Sequence, residues 1–238
     1  MRRALIAILF SSLCASVAAA TPLTFGVHVG SSIPDLRDNG GNELSSGWSS
    51  RLAPFFGVSA DWSLSSTWSV LSELNWAPQG GKRDGMQALG ETEGVWTYAN
   101  ITNETKLNYI ELPVLARWHM GGPSRLSLAA GPYVGLLVSA QQVTGGTSAI
   151  FADPQGTMPI QSPMSFDATT DIKDSVHPFN WGVQAGVGTA RPFGNGEVTL
   201  DVRGGLGLSN IQKYPDQDGK NTTGALVVAL GYSFTRGH

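Results

Sequence analysis

The chain has 238 residues, of which 14% are charged and 30 are glycine, with a formal net charge of −3. Soluble domains carry about 25% charged residues, and the lack of any basic run excludes a nucleic-acid-binding surface. A single cysteine, Cys14, excludes an intramolecular disulfide framework.

The first twenty residues read as a secretory signal peptide. Arg2 and Arg3 give a positive start, Ala4 to Val17 an apolar stretch, and Ala18-Ala19-Ala20 a small-residue cleavage site before Thr21. The apolar stretch is too short for a membrane anchor, which needs about 20 residues. Leu13 before Cys14 is not the small residue that lipidation wants, so Cys14 should leave with the leader. The mature chain then holds no thiol nucleophile and no thiolate metal ligand. Residues 21–238 are expected to form a single domain, and no stretch after residue 20 is apolar enough to span a bilayer as a helix.

Eight strands are expected, at 23–31, 51–62, 68–78, 106–119, 125–140, 178–190, 197–209 and 223–234. The spacers alternate in length. Those at 63–67, 120–124 and 191–196 are short and hold turn residues such as Gly121-Gly122-Pro123 and Gly194-Asn195-Gly196. Those at 32–50, 79–105, 141–177 and 210–222 are long and polar, and the third carries Pro154, Pro159 and Pro163, which argues against regular structure there. Within the strands, side chains alternate. Val70 and Leu74 oppose Ser69, Leu71 and Glu73; Ile110, Leu112 and Val114 oppose Tyr109, Glu111 and Pro113. Leu126, Leu128, Val134 and Leu136 oppose Arg125, Ser127, Tyr133 and Gly135; Val183 and Val187 oppose Gln184, Gly186 and Gly188. Val198, Leu200, Val202 and Leu206 oppose Thr199, Asp201, Arg203 and Gly205. Successive side chains of a strand point to opposite faces, so each strand has one oily face and one polar, glycine-rich face.

Periodicity alone does not say which face points outward, because a soluble lipocalin-like barrel turns its oily row inward. Two features favour outward. Aromatic residues collect at the ends of the oily rows: Trp62, Trp68, Trp118, Tyr232 and Phe234 near the short turns, Trp76, Phe179 and Trp181 near the long loops. Amphipathic rings favour membrane interfaces, which gives two aromatic girdles. Glycines crowd the other row, where they suit a narrow interior. The fold class is therefore all-β: an eight-stranded antiparallel up-and-down transmembrane β-barrel with short periplasmic turns and long extracellular loops.

With that orientation His28, Asp61, Glu73, Glu111, Arg117, Arg125, Asp201 and Arg203 point inward. An eight-stranded interior is just wide enough for side chains to fill, and buried charges must pair. A structural polar network of Glu73, Glu111, Arg117, Asp201 and Arg203 is expected in the lumen; the sharper alternative is an ion path or a catalytic acid pair. No catalytic residue is identified, and neither metal nor cofactor is expected. His28, His119, His177 and His238 lie in separate segments, and no Gly-x-Ser-x-Gly elbow or phosphate loop occurs. Asp216, Asp218 and Gly219 lack the distal glutamate of a calcium loop. Trp96 and Tyr98 lie in a long loop, as contact residues or as packing beneath it.

Several ordered strings carry a resemblance: LTFGVHVG at the mature start, ELNWAPQGGK at 73–82, YIELPVLARW at 109–118, AGPYVGLL at 130–137, WGVQAGVG at 181–188, DVRGGLGLSNI at 201–211 and GYSF at 231–234. Together they resemble the porin-like outer-membrane β-barrel family, including the PorT-like proteins of Bacteroidetes and relatives. The resemblance implies an eight-stranded outer-membrane barrel and little about activity. Phe234 looks like the closing aromatic insertion signal of such barrels, although Thr235 to His238 follow it here. The expected role is non-catalytic, with long surface loops for interaction or envelope integrity. The alternatives are a lipid-modifying enzyme, a passive small-solute pore and a soluble binding barrel. Expected partners are outer-membrane lipid, the barrel-assembly machinery during insertion, and an extracellular partner met through the loops.

Overall fold

A computed structural model describes residues 23–38, 47–92, 94–121, 125–214, 216 and 220–235. The expected leader at 1–20 and residues Asp218, Gly219 and His238 lie outside these. Among the described residues eleven strands follow one another: β1 (Leu23–Asp38), β2 (Ala53–Ser63), β3 (Trp68–Thr92), β4 (Val95–Met120), β5 (Arg125–Gly145), β6 (Thr147–Phe151), β7 (Pro159–Ser165), β8 (Ala168–Asp171), β9 (Phe179–Phe193), β10 (Gly196–Gly207) and β11 (Asn221–Thr235). A 3-10 turn, Lys173–Ser175, precedes β9.

Eight of these close a ring. β1 pairs with β2, β2 with β3, β3 with β4, β4 with β5, β5 with β9, β9 with β10, β10 with β11, and β11 returns to β1, every pair antiparallel. The seam runs from Thr24 opposite Thr235 to Asp38 opposite Asn221. Closure leaves the barrel wall without a free edge, which is what allows strands to cross a membrane with every backbone group paired.

The alternation resolves as an oily outside. Val29, Val58, Leu74, Val134, Val187 and Leu230 are exposed on the wall, while Leu71, Glu73, Asn75, Tyr109, Glu111, Leu115 and Arg203 are buried inside. Trp68 packs on Trp118 across β3 and β4 at the short-turn end, and Phe25 on Phe234 across the seam. Trp76 stacks on Phe56 further along. From Trp68 to Trp76 is about 27 Å of strand at roughly 3.4 Å per residue. A tilt of about 40° brings that to roughly 20 Å, near the height of the apolar band of such barrels, about 25 Å.

The structure corrects the strand ends. The expected loop at 79–105 is instead the outer half of a hairpin, since β3 runs to Thr92 and β4 starts at Val95, joined in register apart from a bulge at Ala88/Gly90. The expected loop at 32–50 gives its first residues to β1. The segment 141–177 is not irregular: it carries the end of β5 and all of β6, β7 and β8. β6 joins β4 where Tyr98 faces Phe151, β7 pairs with β6, and β8 pairs with β5. Pro159 and Pro163 sit on β7, an edge strand, where a missing N–H costs little. Beyond the membrane, water solvates both faces of a sheet, so the strict oily alternation is not required there.

Candidate functional site

The polar interior has three levels. Nearest the short turns, Arg117 on β4 donates to Asp61 on β2 at 2.9 Å and reaches Asp201 on β10 at 3.5 Å. These residues, with His28, Glu73, His119 and the rim pair Arg125–Glu197, line a vestibule of about 810 Å³ open at that end. Arg125 itself is exposed rather than sealed in the lumen.

The vestibule floor is the Arg203–Glu73 pair. Arg203 Nη1 and Nη2 donate to the two carboxylate oxygens of Glu73 at 2.6 and 2.9 Å. Asn75 Nδ2 donates to the same carboxylate at 2.9 Å, and Asn75 Oδ1 meets His28 Nε2 at 2.8 Å. The His28 ring stacks on Phe55. Leu71, Leu115 and Ala129 pack as an apolar cluster beside this level. Glycines on the facing strands make room for these side chains: a Cβ at Gly57 would fall 2.1 Å from Asn75 Oδ1, and one at Gly186 would fall 2.3 Å from Arg203 Cγ. The glycine-rich inner row is therefore the space over which charged side chains lie flat.

Glu111 departs from the expected ion pairing. Its carboxylate accepts from Gln79 Nε2 at 2.9 Å and Gln184 Nε2 at 3.0 Å, and no cation bridges it among the described residues. Two neutral amides satisfy this carboxylate where a guanidinium was expected. Gln184 stood on the expected inner row; Gln79 did not, because its segment read as loop. A cavity of about 20 Å³ lies between Glu111, Gln79, Gln184 and Arg203, about the space of one water.

Above this level the lumen is closed by Leu36, Leu107, Tyr109, Leu137, Ala140, Val176 and Ile211, packed as one apolar cluster. Over it opens a cup of about 350 Å³ at the long-loop end. Glu73 lines the vestibule and Arg203 the inner cavity, so their ion pair stands between the two spaces. Of the girdle residues, Trp62, Trp68, Trp118, Trp181 and Phe234 are exposed on the outer wall, and Trp76 and Tyr232 are half-buried. Trp96 and Tyr98 sit on β4 in the outer hairpin, half-buried, so the segment that reads as loop is strand.

His119 has a serine partner that sequence reasoning missed. Ser69 Oγ lies 2.8 Å from His119 Nε2. The signal was available only through pairing: both residues face inward, and Ser69 stands opposite Arg117 in the β3–β4 register. Ser69 is 1% exposed and does not line the vestibule, so its hydroxyl positions the imidazole and offers no accessible nucleophile. No group of three His, Cys, Asp or Glu suited to a metal occurs among the described residues.

A family model described as outer membrane protein beta-barrel domain matches residues 16–213. No curated protein matches the chain. Among solved structures it is similar to Ail, the attachment invasion locus protein of Yersinia pestis, with 12% identity over 89% of this chain and 98% of that one and a TM-score of 0.40. Neisserial surface protein A is similar at 9% identity over 88% and 96%, TM-score 0.37. The N-terminal β-barrel domain of Pseudomonas aeruginosa OprF is similar at 13% identity over 88% and 97%, TM-score 0.33.

Proposed function

The chain belongs to the outer-membrane β-barrel domain family, and on that footing we propose that it is a non-catalytic surface barrel whose closed lumen supports a tall external sheet used for interaction. The observation that carries this reading is the length of the β3–β4 hairpin. Residues 77–92 of β3 run past Trp76, roughly 50 Å of strand at about 3.3 Å per residue. β6 and β7 add to its β4 side. A sheet of that size is not needed to seal an eight-stranded barrel; it offers a surface beyond the membrane. Export through a signal peptide at residues 1–20, removed before Thr21, belongs to the same proposal. The narrower likeness to PorT-like barrels rests on the ordered strings alone.

The passive-pore reading has less support, because the Arg203–Glu73 pair and the Leu107–Tyr109 cluster stand across the lumen. Two measurements test the proposal. A small tag inserted between Gly94 and Val95 should be labelled on intact cells; labelling only after the outer membrane is permeabilised would sink it. The purified barrel should show no steady single-channel conductance in planar bilayers, and a stable open level would favour the pore.

A further inference from the structure

The short-turn vestibule holds polar groups that its Arg203–Glu73 floor does not use. Two carboxylates share one guanidinium there: Arg117 donates to Asp61 at 2.9 Å and only reaches Asp201 at 3.5 Å. The pairs on either side, Arg203–Glu73 at the floor and Arg125–Glu197 at the rim, are each balanced one to one. The two imidazoles of the vestibule, His28 and His119, are engaged by Asn75 and Ser69. One negative charge is therefore left at the level of Arg117. It falls to Asp201, whose carboxylate lines the vestibule and makes no closer contact with a described side chain.

Beside Asp201 stands a buried hydroxyl. Gly188 on β9 faces Ser127 on β5 and Asp201 on β10 in register. A Cβ at Gly188 would fall 2.4 Å from Asp201 Oδ1 and 3.1 Å from Ser127 Oγ, so the two oxygens converge over the bare glycine. Ser127 is only 7% exposed, lines the vestibule and makes no side-chain hydrogen bond to a described residue. Its oxygen is not one of the unpartnered atoms closed off from solvent, so it is reached from the vestibule. Buried polar groups are nearly always paired, and a hydroxyl that opens on a cavity is placed to take its partner from there. The same device recurs at Thr199, whose Oγ1 lies 2.5 Å from the Cβ position of Gly231, and at Ser59, whose Oγ lies 2.6 Å from that of Gly26. Both of these hydroxyl residues line the vestibule as well.

We propose that the vestibule binds an amino sugar, either free or at the end of a glycan. Its ammonium donates to the Asp201 carboxylate and to Ser127 Oγ, and its hydroxyls exchange hydrogen bonds with Thr199 and Ser59. A charge-assisted hydrogen bond is roughly twice as strong as a neutral one, so Asp201 sets the preference for the amine. The hydroxyl residues set the preference for a sugar over a simple amine, because a site built around hydroxyl contacts rejects an analogue that lacks them. The volume, about 810 Å³, is in the range of small-molecule pockets. The Arg203–Glu73 pair closes the site below, so the ligand is held and not conducted. The site lies at the opposite end of the barrel from the outer sheet and stands whether or not that sheet meets a macromolecule.

The test uses the full barrel, refolded in lauryldimethylamine oxide micelles, whose headgroup carries no sugar, with empty micelles as the blank. Glucosamine should bind saturably, one molecule per chain, by ligand-observed NMR near neutral pH. Glucose, with a hydroxyl in place of the amine, and N-acetylglucosamine, which has lost the charge, should each bind at least fivefold more weakly. Cyclohexylamine, which keeps the charge on a ring without hydroxyls, should also bind at least fivefold more weakly. The β-linked disaccharide of glucosamine separates the two sources: binding as tight as the monomer or tighter assigns the site to a glycan end, and weaker binding assigns it to the free sugar. Asp201→Asn should erase the preference for glucosamine over glucose, and Ser127→Ala should weaken glucosamine at least threefold. Ser162→Ala, on the exposed edge strand β7, should change nothing. No binding above the micelle blank overturns the proposal, as does binding of glucose or cyclohexylamine to the parent as tight as that of glucosamine. The probe series on the parent decides the matter even if a variant fails to fold.

Discussion

Arg203 and Glu73 lie 130 positions apart in the chain and meet through two hydrogen bonds in the middle of the barrel. They tie β10 to β3, strands that are not neighbours in the ring. The pair is therefore a strut across the lumen, and Asn75 and His28 continue it to β1.

Removing one side of a buried ion pair leaves the other charge uncompensated, at a cost of about 3–5 kcal/mol. Arg203→Ala should lose that much in urea unfolding of the lipid-embedded barrel. The double variant Arg203→Met with Glu73→Leu should recover most of it, because packed apolar groups replace such pairs at little cost. An Arg203→Ala barrel as stable as the parent would end the strut interpretation.

Gly186 gives that strut its space. A Cβ there would fall 2.3 Å from both Arg203 Cγ and the Val202 carbonyl oxygen. Gly186→Ala should cost about 1–3 kcal/mol, the range of an overpacked core. Gly204, one residue along from Arg203, has nothing within 4 Å of the same added carbon. Gly204→Ala should unfold within about 0.5 kcal/mol of the parent, as unobstructed surface positions do. Equal losses at the two glycines would mean that general strand propensity, and not the strut, sets the effect.

The outer wall makes its own prediction. Val187 is 54% exposed and lies six residues from each of Trp181 and Phe193 on β9. Val187→Arg should destabilise the barrel in bilayers by about 2–4 kcal/mol, the cost of arginine on the lipid face at the midplane. Val95→Arg, at the tip of the outer hairpin, should be close to neutral. Equal costs at both positions would mean that hydrocarbon does not surround β9.

Acid should loosen the turn around Asp167. The Gly146 N–H and then the Ser165 hydroxyl donate to its carboxylate, and together they hold its carboxyl below the usual aspartate value. A depressed folded value means that the stabilisation is complete above the ordinary aspartate pKa, about 3.9. It is lost as pH falls through the lower folded value. The Gly146 amide resonance should titrate with a midpoint below that ordinary value, and Asp167→Asn should remove the transition. A midpoint at or above it would show that the carboxylate is not held.

What the sequence made legible follows from which solvent each part meets. Inside hydrocarbon every wall position is constrained, so Val183 and Val187 against Gln184 and Gly186 read unambiguously. Past Trp76 the constraint lapses. Residues 79–105 mix Gly80, Gly85 and Gly90 with polar residues, and the strand there became visible only through its pairing. Parity likewise told which side chains face inward, yet not which of them meet. Glu111 took two glutamines where an arginine was expected, because its partner Gln79 comes from strand that reads as loop. The Ser69–His119 contact was hidden for the same reason: it depends on register, which alternation leaves open.

The seam between β1 and β11 has a consequence for biogenesis. Ribosomes release β1 first and β11 last, so β1 waits for its permanent neighbour until nearly the whole chain has been made. Until β11 is in place, the backbone donors and acceptors on that side of β1 lack their partners in the ring. The wall therefore cannot close into a ring until strands from opposite ends of the described sequence stand side by side.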